Sequence, residues 1–120
     1  MTTSSTVLSA SQTSITADIA RQWVAAGEAV LVDVREVEEY EDEHIPGAIL
    51  VPLSGLEPAA LAELGGRRII LQCLTGKRSA TALERLTGEG LNGLLHLEGG
   101  LLAWKKAGGA TVESDEAVAA

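Results

Sequence analysis

The chain has 120 residues, 46% hydrophobic and 22% charged, the composition of one globular domain with its own core and not of a disordered or fibrous chain. Nine Lys and Arg against 17 Asp and Glu leave a net charge of −8 at pH 7, which argues against nucleic acid or an anionic membrane as partner unless the few cations cluster. One Cys and two His exclude an internal disulfide and a Cys-x-x-Cys redox pair, and leave too few ligands for a structural zinc site unless carboxylates help.

Residues 1–13 are rich in Ser and Thr and read as a flexible tail, with a short strand possible near Thr13–Ile15. Thr16 is placed to N-cap a helix with Asp18 in its first turn. Ile19, Trp23 and Val24 share one face, and Gly27 ends it. The apolar run from Ala29 to Val34 predicts a strand buried on both faces. Glu36 to Glu43 predicts a short acidic helix, Pro46-Gly47 a turn, and Ala48 to Val51 a second strand. A helix from Pro58 to Leu64 closes at Gly65-Gly66, and Arg68 to Gln72 forms a third strand. A helix follows over Ser79 to Leu86, then a strand over Leu94 to Leu97, then a helix over Leu101 to Lys106. Residues 113–120 read as an acidic tail. Strands alternating with helices imply an α/β fold with a parallel sheet, whose ligands bind beyond the carboxyl ends of the strands.

One of those strand ends carries a strong nucleophile. Cys73 leaves the third strand, Gly76 sits in the loop, and a helix starts near Arg78 or Ser79. A tight loop there turns successive backbone N–H groups, and the helix N-terminus, toward one point and stabilises a thiolate. A free Cys is only about 3% thiolate at pH 7, so this environment multiplies the reactive form. Arg67, Arg68, Lys77 and Arg78 lie between Glu63 and Glu84 with no acid among them, whereas Glu36 to Glu43 holds six acids and no base. The Cys73 segment is therefore expected to be the basic place of an acidic chain, drawing in a small anion.

The chain resembles a single-domain rhodanese, of the sulfurtransferase family. The resemblance spans residues 14–112 and rests on five motifs in order, with Val51-Pro-Leu53 among them. They include Leu31-Val-Asp-Val-Arg-Glu36 with Tyr40, His44-Ile-Pro-Gly-Ala48, Cys73-x-x-Gly76-x-Arg78-Ser79, and Leu97-Glu-Gly-Gly-x-x-Ala-Trp104. Glu43 departs from it, since the family commonly has Gly before the His, and a minor loop change is expected. The resemblance implies a three-layer α/β/α domain with a parallel sheet of four to five strands. It also implies Cys73 as the catalytic nucleophile, with Leu74, Thr75, Gly76, Lys77 and Arg78 as its substrate-binding loop. The implied reaction moves a sulfane sulfur from a small anionic donor such as thiosulfate, through a Cys73 persulfide, to a thiol or protein acceptor or to cyanide. It requires no metal or organic cofactor. The likeness extends to rhodanese modules of membrane-anchored bacterial proteins, through Pro52-Leu-Ser54 and Lys77-Arg78. As one of those, this chain would be part of a longer protein.

Around that loop the residues leave alternatives open. Arg78 fits a ligand or an ion pair with a carboxylate elsewhere, because a lone cation is disfavoured at a helix N-terminus. Lys77 fits either function or a solvated face, and Thr75 either a hydroxyl for sulfite or plain exposure. Asp33 and Arg35 could touch substrate but read better as a structural ion pair or as loop hydrogen bonders, His44 as a hydrogen bonder of its turn, His96 as a packed or satisfied side chain, and Trp104 as core. A noncatalytic sulfur carrier or regulatory module on the same fold is the competing function. A Cys–Arg phosphatase fits less well, because here the spacing is Cys-x4-Arg where those enzymes use Cys-x5-Arg. An arsenate reductase would call for further cysteines. No run is long and apolar enough to span a bilayer, and Met1 to Val7 lacks the basic region of a secretory signal, so the expected location is cytoplasmic. The oligomeric state is not legible.

Overall fold

Ala29–Asp33 is buried at all five positions, as a strand covered on both faces must be. The computed structural model describes residues 12–62, 64 and 66–113, so most of the two expected tails lies outside the described residues. In chain order the elements are β1 (Ser14–Ile15), α1 (Ala17–Ala25), β2 (Ala29–Asp33), α2 (Val37–Asp42), β3 (Ile49–Leu50), α3 (Pro58–Ala62), β4 (Arg68–Gln72), α4 (Lys77–Gly88), β5 (Leu95–Leu97) and α5 (Gly100–Lys106). A 3-10 turn, Leu53–Gly55, for which the sequence carries no distinct signal, follows β3.

The strands form one parallel sheet in the order β1-β5-β4-β2-β3. The short strand near Thr13–Ile15 is real: Ser14 pairs with His96, and the Thr13 carbonyl accepts the His96 N–H at 2.8 Å. Side chains alternate between two apolar layers. Leu31, Ile70, Leu95 and Leu97 pack with Ala17 and Ala20 of α1 and Leu101 and Trp104 of α5. Val32 and Leu71 pack with Leu61 of α3 and Ala82, Leu83 and Leu86 of α4. The result is the expected three-layer domain.

The chain leaves β2 toward one edge of the sheet and leaves β4 toward the other. The carboxyl ends of these neighbours, paired at Asp33 and Gln72, therefore mark the topological switch point where such sheets bind ligands. Asp33 and Arg35 secure that end. The Arg35 Nε donates to Asp33 Oδ1 at 3.0 Å and Nη2 to Oδ2 at 2.8 Å, while the Arg35 N–H also donates to Oδ1. A further guanidinium bond, from Nη2 to the Glu43 carbonyl at 2.7 Å, ties the end of α2 to the sheet. Both residues are buried, so each charge depends on the other for compensation.

Several boundaries shift for local reasons. Helix α4 begins at Lys77, two residues earlier than expected, because Gly76 adopts φ 105° and turns the chain directly into it. Helix α3 is described over Pro58–Ala62, and Leu64, expected as its last residue, lies in a bend. Thr16 occupies the N-cap of α1 but its hydroxyl makes no capping bond. Glu43 has an extended backbone, which any residue adopts, and so replaces the expected Gly without strain. Its carboxylate binds Lys105 Nζ at 2.9 Å and the Thr111 hydroxyl at 2.7 Å. His44 Nδ1 meets the Tyr40 carbonyl at 2.7 Å, its ring stacks on Tyr40, and its backbone pairs with Val112.

Asp33→Ala is expected to lower the unfolding free energy by about 3–5 kcal/mol, since it strands Arg35 as a buried unpaired cation. Urea unfolding of the two proteins measures the difference.

Candidate active site

Beyond Gln72 the chain leaves β4 and folds back over its own sulfur. Cys73 is 1% exposed. Its Sγ accepts the Gly76 N–H at 3.1 Å and the Ser79 N–H at 3.4 Å, and the Ser79 hydroxyl lies 3.7 Å away. Burial alone pushes the thiol pKa up. The Ser79 N–H and hydroxyl and the N–H groups of Gly76 and Thr75 outweigh burial, and the net shift is downward.

Helix α5 supports the loop from beneath. The Leu101 N–H donates to the Cys73 carbonyl at 2.8 Å and the Leu102 N–H to the Leu74 carbonyl at 3.2 Å. Gly100 makes this approach possible, because a Cβ there would collide with both carbonyl oxygens. The Gln72 amide adds a second bond to the Cys73 carbonyl at 2.9 Å.

The structure separates the six loop residues singled out from the sequence. Cys73 and Gly76 form the sulfur cradle. Leu74 is half-buried and packs into the α1–α5 layer. Thr75 and Lys77 are exposed, and Lys77 has no salt bridge among the described residues. Arg78 points at a carboxylate: its Nη1 and Nη2 each lie 2.8 Å from an oxygen of Glu39 on α2. This bidentate pair is the main reason the Glu39 pKa falls to about 2. The amides that hydrogen-bond the sulfur belong to Gly76 and Ser79, so the cradle extends one residue past the stretch 74–78 drawn from the sequence.

The basic cluster expected at the loop is divided in space. Arg67 and Arg68 stand at the start of β4, with Arg68 over the Trp23 ring at 4.5 Å, while Cys73 follows the other end of that strand. At about 3.3 Å per residue the strand separates them by roughly 16 Å. With Arg78 held by Glu39, Lys77 is the remaining unpaired cation of the loop.

Three contributors escaped the sequence reading. In the sequence Glu39 is one acid of a solvated helix, Ser79 only part of a motif, and His96 a packed or satisfied strand side chain with no partner in view. His96 Nδ1 lies 3.1 Å from the Ser79 hydroxyl, which also lies 3.2 Å from the Gly76 carbonyl. The Ser at the start of a helix after a Cys–Gly loop was the one signal available. An open cavity of about 630 Å³ lined by residues of α1 and by Trp104 contains none of the loop.

The profile of the rhodanese-like domain matches residues 16–107, most of the chain. The chain belongs to the rhodanese-like domain family. It is 48% identical over 88 residues, 73% of its length and 49% of the other, to an uncharacterized protein of Synechocystis. It is 33% identical over 82 residues, 68% of this chain and 76% of the other, to a sulfurtransferase of Allochromatium vinosum. A crystal structure of a thiosulfate sulfurtransferase from Pseudomonas aeruginosa superposes with a TM-score of 0.76 at 31% identity, covering 85% of this chain and 20% of that one. The chain thus spans about half the Synechocystis relative and a fifth of the Pseudomonas enzyme. This rhodanese-like domain has sulfurtransferases among its relatives, and no helix among the described residues is long and apolar enough to cross a membrane.

Two consequences follow for Cys73. Its alkylation rate plotted against pH should rise at a midpoint below that of an ordinary thiol, because the thiolate is the reactive form. Gly76→Ala forces a side chain into φ 105° against the Gly99 nitrogen at 3.3 Å and displaces one N–H donor. It should slow alkylation at pH 7 by about tenfold, the scale of one hydrogen bond to a charged group. Iodoacetamide kinetics followed by intact mass measure both.

Proposed function

We propose that this domain is a sulfurtransferase that carries a sulfane sulfur as a persulfide on Cys73. The observation that carries the reading is the buried sulfur facing the N–H groups of Gly76 and Ser79 at a strand–helix junction. In the first half-reaction the Cys73 thiolate attacks the outer sulfur of a donor such as thiosulfate. The new S–S bond forms as the donor S–S bond breaks, and sulfite leaves with the electron pair. In the second, an acceptor thiolate, or cyanide, attacks the terminal sulfur and the Cys73 thiolate leaves. Splitting the transfer in two gives each step a good leaving group. The amides that now face Sγ would meet the anionic terminal sulfur, and Lys77 offers the departing sulfite a cation.

Cys73 is the only cysteine of the chain, so no internal thiol can resolve the persulfide as a disulfide. The sulfur is expected to wait for an outside acceptor. An intact cradle supports catalysis over a purely regulatory role. The short Cys-x4-Arg spacing, with Arg78 already occupied by Glu39, argues against phosphate chemistry, which needs a free guanidinium over the nucleophile.

Intact mass after thiosulfate tests the proposal. Wild type should gain one sulfur atom, lost on treatment with cyanide or excess thiol, and Cys73→Ser should gain none. Appreciable transfer by the Ser variant, or no gain with thiosulfate, polysulfide and mercaptopyruvate alike, would sink it. Arg78 gives a second test. Glu39→Gln removes the charge that occupies the guanidinium and should lower the KM for thiosulfate severalfold while changing that for a neutral polysulfide donor less. Adding Arg78→Ala should erase the gain. Steady-state kinetics of the two variants and the double variant measure it.

A further inference from the structure

A sulfur that is 1% exposed has no contact with bulk water, yet its proton must leave before it can attack, and each incoming acceptor thiol brings another. Ser79 is fully buried beside it. The next group along the hydrogen-bonded path is His96, which is half-buried and reaches the surface. On β5, Leu95 and Leu97 face the α1–α5 layer, so His96 points the other way, toward the first turn of α4 where Ser79 lies.

We propose that Ser79 and His96 form a proton relay that carries the Cys73 proton between the buried sulfur and solvent. The relay concerns the same sulfur as the sulfurtransferase reading and rests on it. With the thiol protonated, the S–H donates to Ser79 Oγ across 3.7 Å and the hydroxyl donates to His96 Nδ1 across 3.1 Å. In transfer, the S–H bond breaks as an O–H bond forms. The original serine proton moves to Nδ1, giving a thiolate and an imidazolium. The same atoms then bond in the opposite direction, Nδ1–H to Oγ and O–H to S⁻. A serine hydroxyl has one proton and two lone pairs, enough for either direction. The Gly76 carbonyl, 3.2 Å from Oγ, is the competing acceptor. It can only accept, so it cannot take the proton onward.

The charges around the path allow this. Burial pulls the His96 pKa down more than the Glu98 carboxylate on the same strand raises it, so the ring is neutral and able to accept near neutral pH. On the sulfur side, Arg78, held by Glu39, is the charge that interacts with Cys73, and Lys77 of the same turn is exposed. Ser79 touches the reacting sulfur. His96 does not touch the sulfur and takes the proton through Ser79.

Two measurements on the full chain test the relay. His96→Asn keeps a hydrogen-bond acceptor near the Nδ1 position but cannot take a proton, whereas His96→Leu offers neither. Both should slow Cys73 alkylation at pH 7 by about tenfold and shift its pH profile upward, and Ser79→Ala combined with either should add little further. An Asn variant that matches wild type would reduce His96 to orienting Ser79 and overturn the relay. The second measurement needs no variant. The imidazole of His96 is followed by NMR across the pH range in which Cys73 ionises, before and after Cys73 is blocked with iodoacetamide. Thiolate formation beside the relay should give the His96 resonances a second inflection at the midpoint found by alkylation, and blocking should abolish it. A His96 without that inflection overturns the relay even where the variants fail to fold. Persulfide formation, read by mass in the same samples, separates the two ideas, because a persulfide without coupled titration leaves sulfur transfer standing and removes only the relay.

Discussion

The Cys73 loop can aim several N–H groups at one sulfur because its carbonyls are satisfied elsewhere. A buried carbonyl without a partner costs free energy on the scale of a lost hydrogen bond, so a loop that turned its donors inward and left its acceptors empty would not persist. Helix α5 removes that cost. The N–H groups of Leu101 and Leu102, free at the start of a helix, take the carbonyls of Cys73 and Leu74, and Gly100 lets the two backbones close on each other. The low thiol pKa, the position of Ser79 and the path to His96 all depend on that support.

Electrostatics around the site are local and paired. Asp33 holds Arg35 and Glu39 holds Arg78, both by bidentate bonds, at the ends of adjacent strands and helices. These pairs fix geometry more than they create a field. A chain of net charge −8 therefore offers an anion at this loop little attraction beyond Lys77 and the loop amides. The amides are the more specific of the two, because backbone donors cannot be reoriented when a ligand arrives.

Much of this was legible in the sequence and some could not be. The apolar run at Ala29–Val34, the strand–Gly–helix setting of Cys73 and the Asp33–Arg35 pair are local signals, and each gave the correct element or contact. The four cations between Glu63 and Glu84 misled, because closeness along a strand becomes distance across the sheet. The Glu39–Arg78 pair joins residues from α2 and α4, and the Ser79–His96 contact joins α4 to β5. Such pairs leave no periodicity to read. His96 alternates with leucines like any strand residue, and only the packing of α4 on that face shows what it meets.

The dependence of the sulfur on α5 also orders events in time. Cys73 emerges during synthesis before β5 and α5, and until α5 docks its loop carbonyls have no helix to receive them. A nascent or partly unfolded chain thus carries an ordinary, mostly protonated thiol. Reactivity of the thiol thus arrives with the last described helix, and a chain that has lost its tertiary structure loses the N–H donors that hold the thiolate.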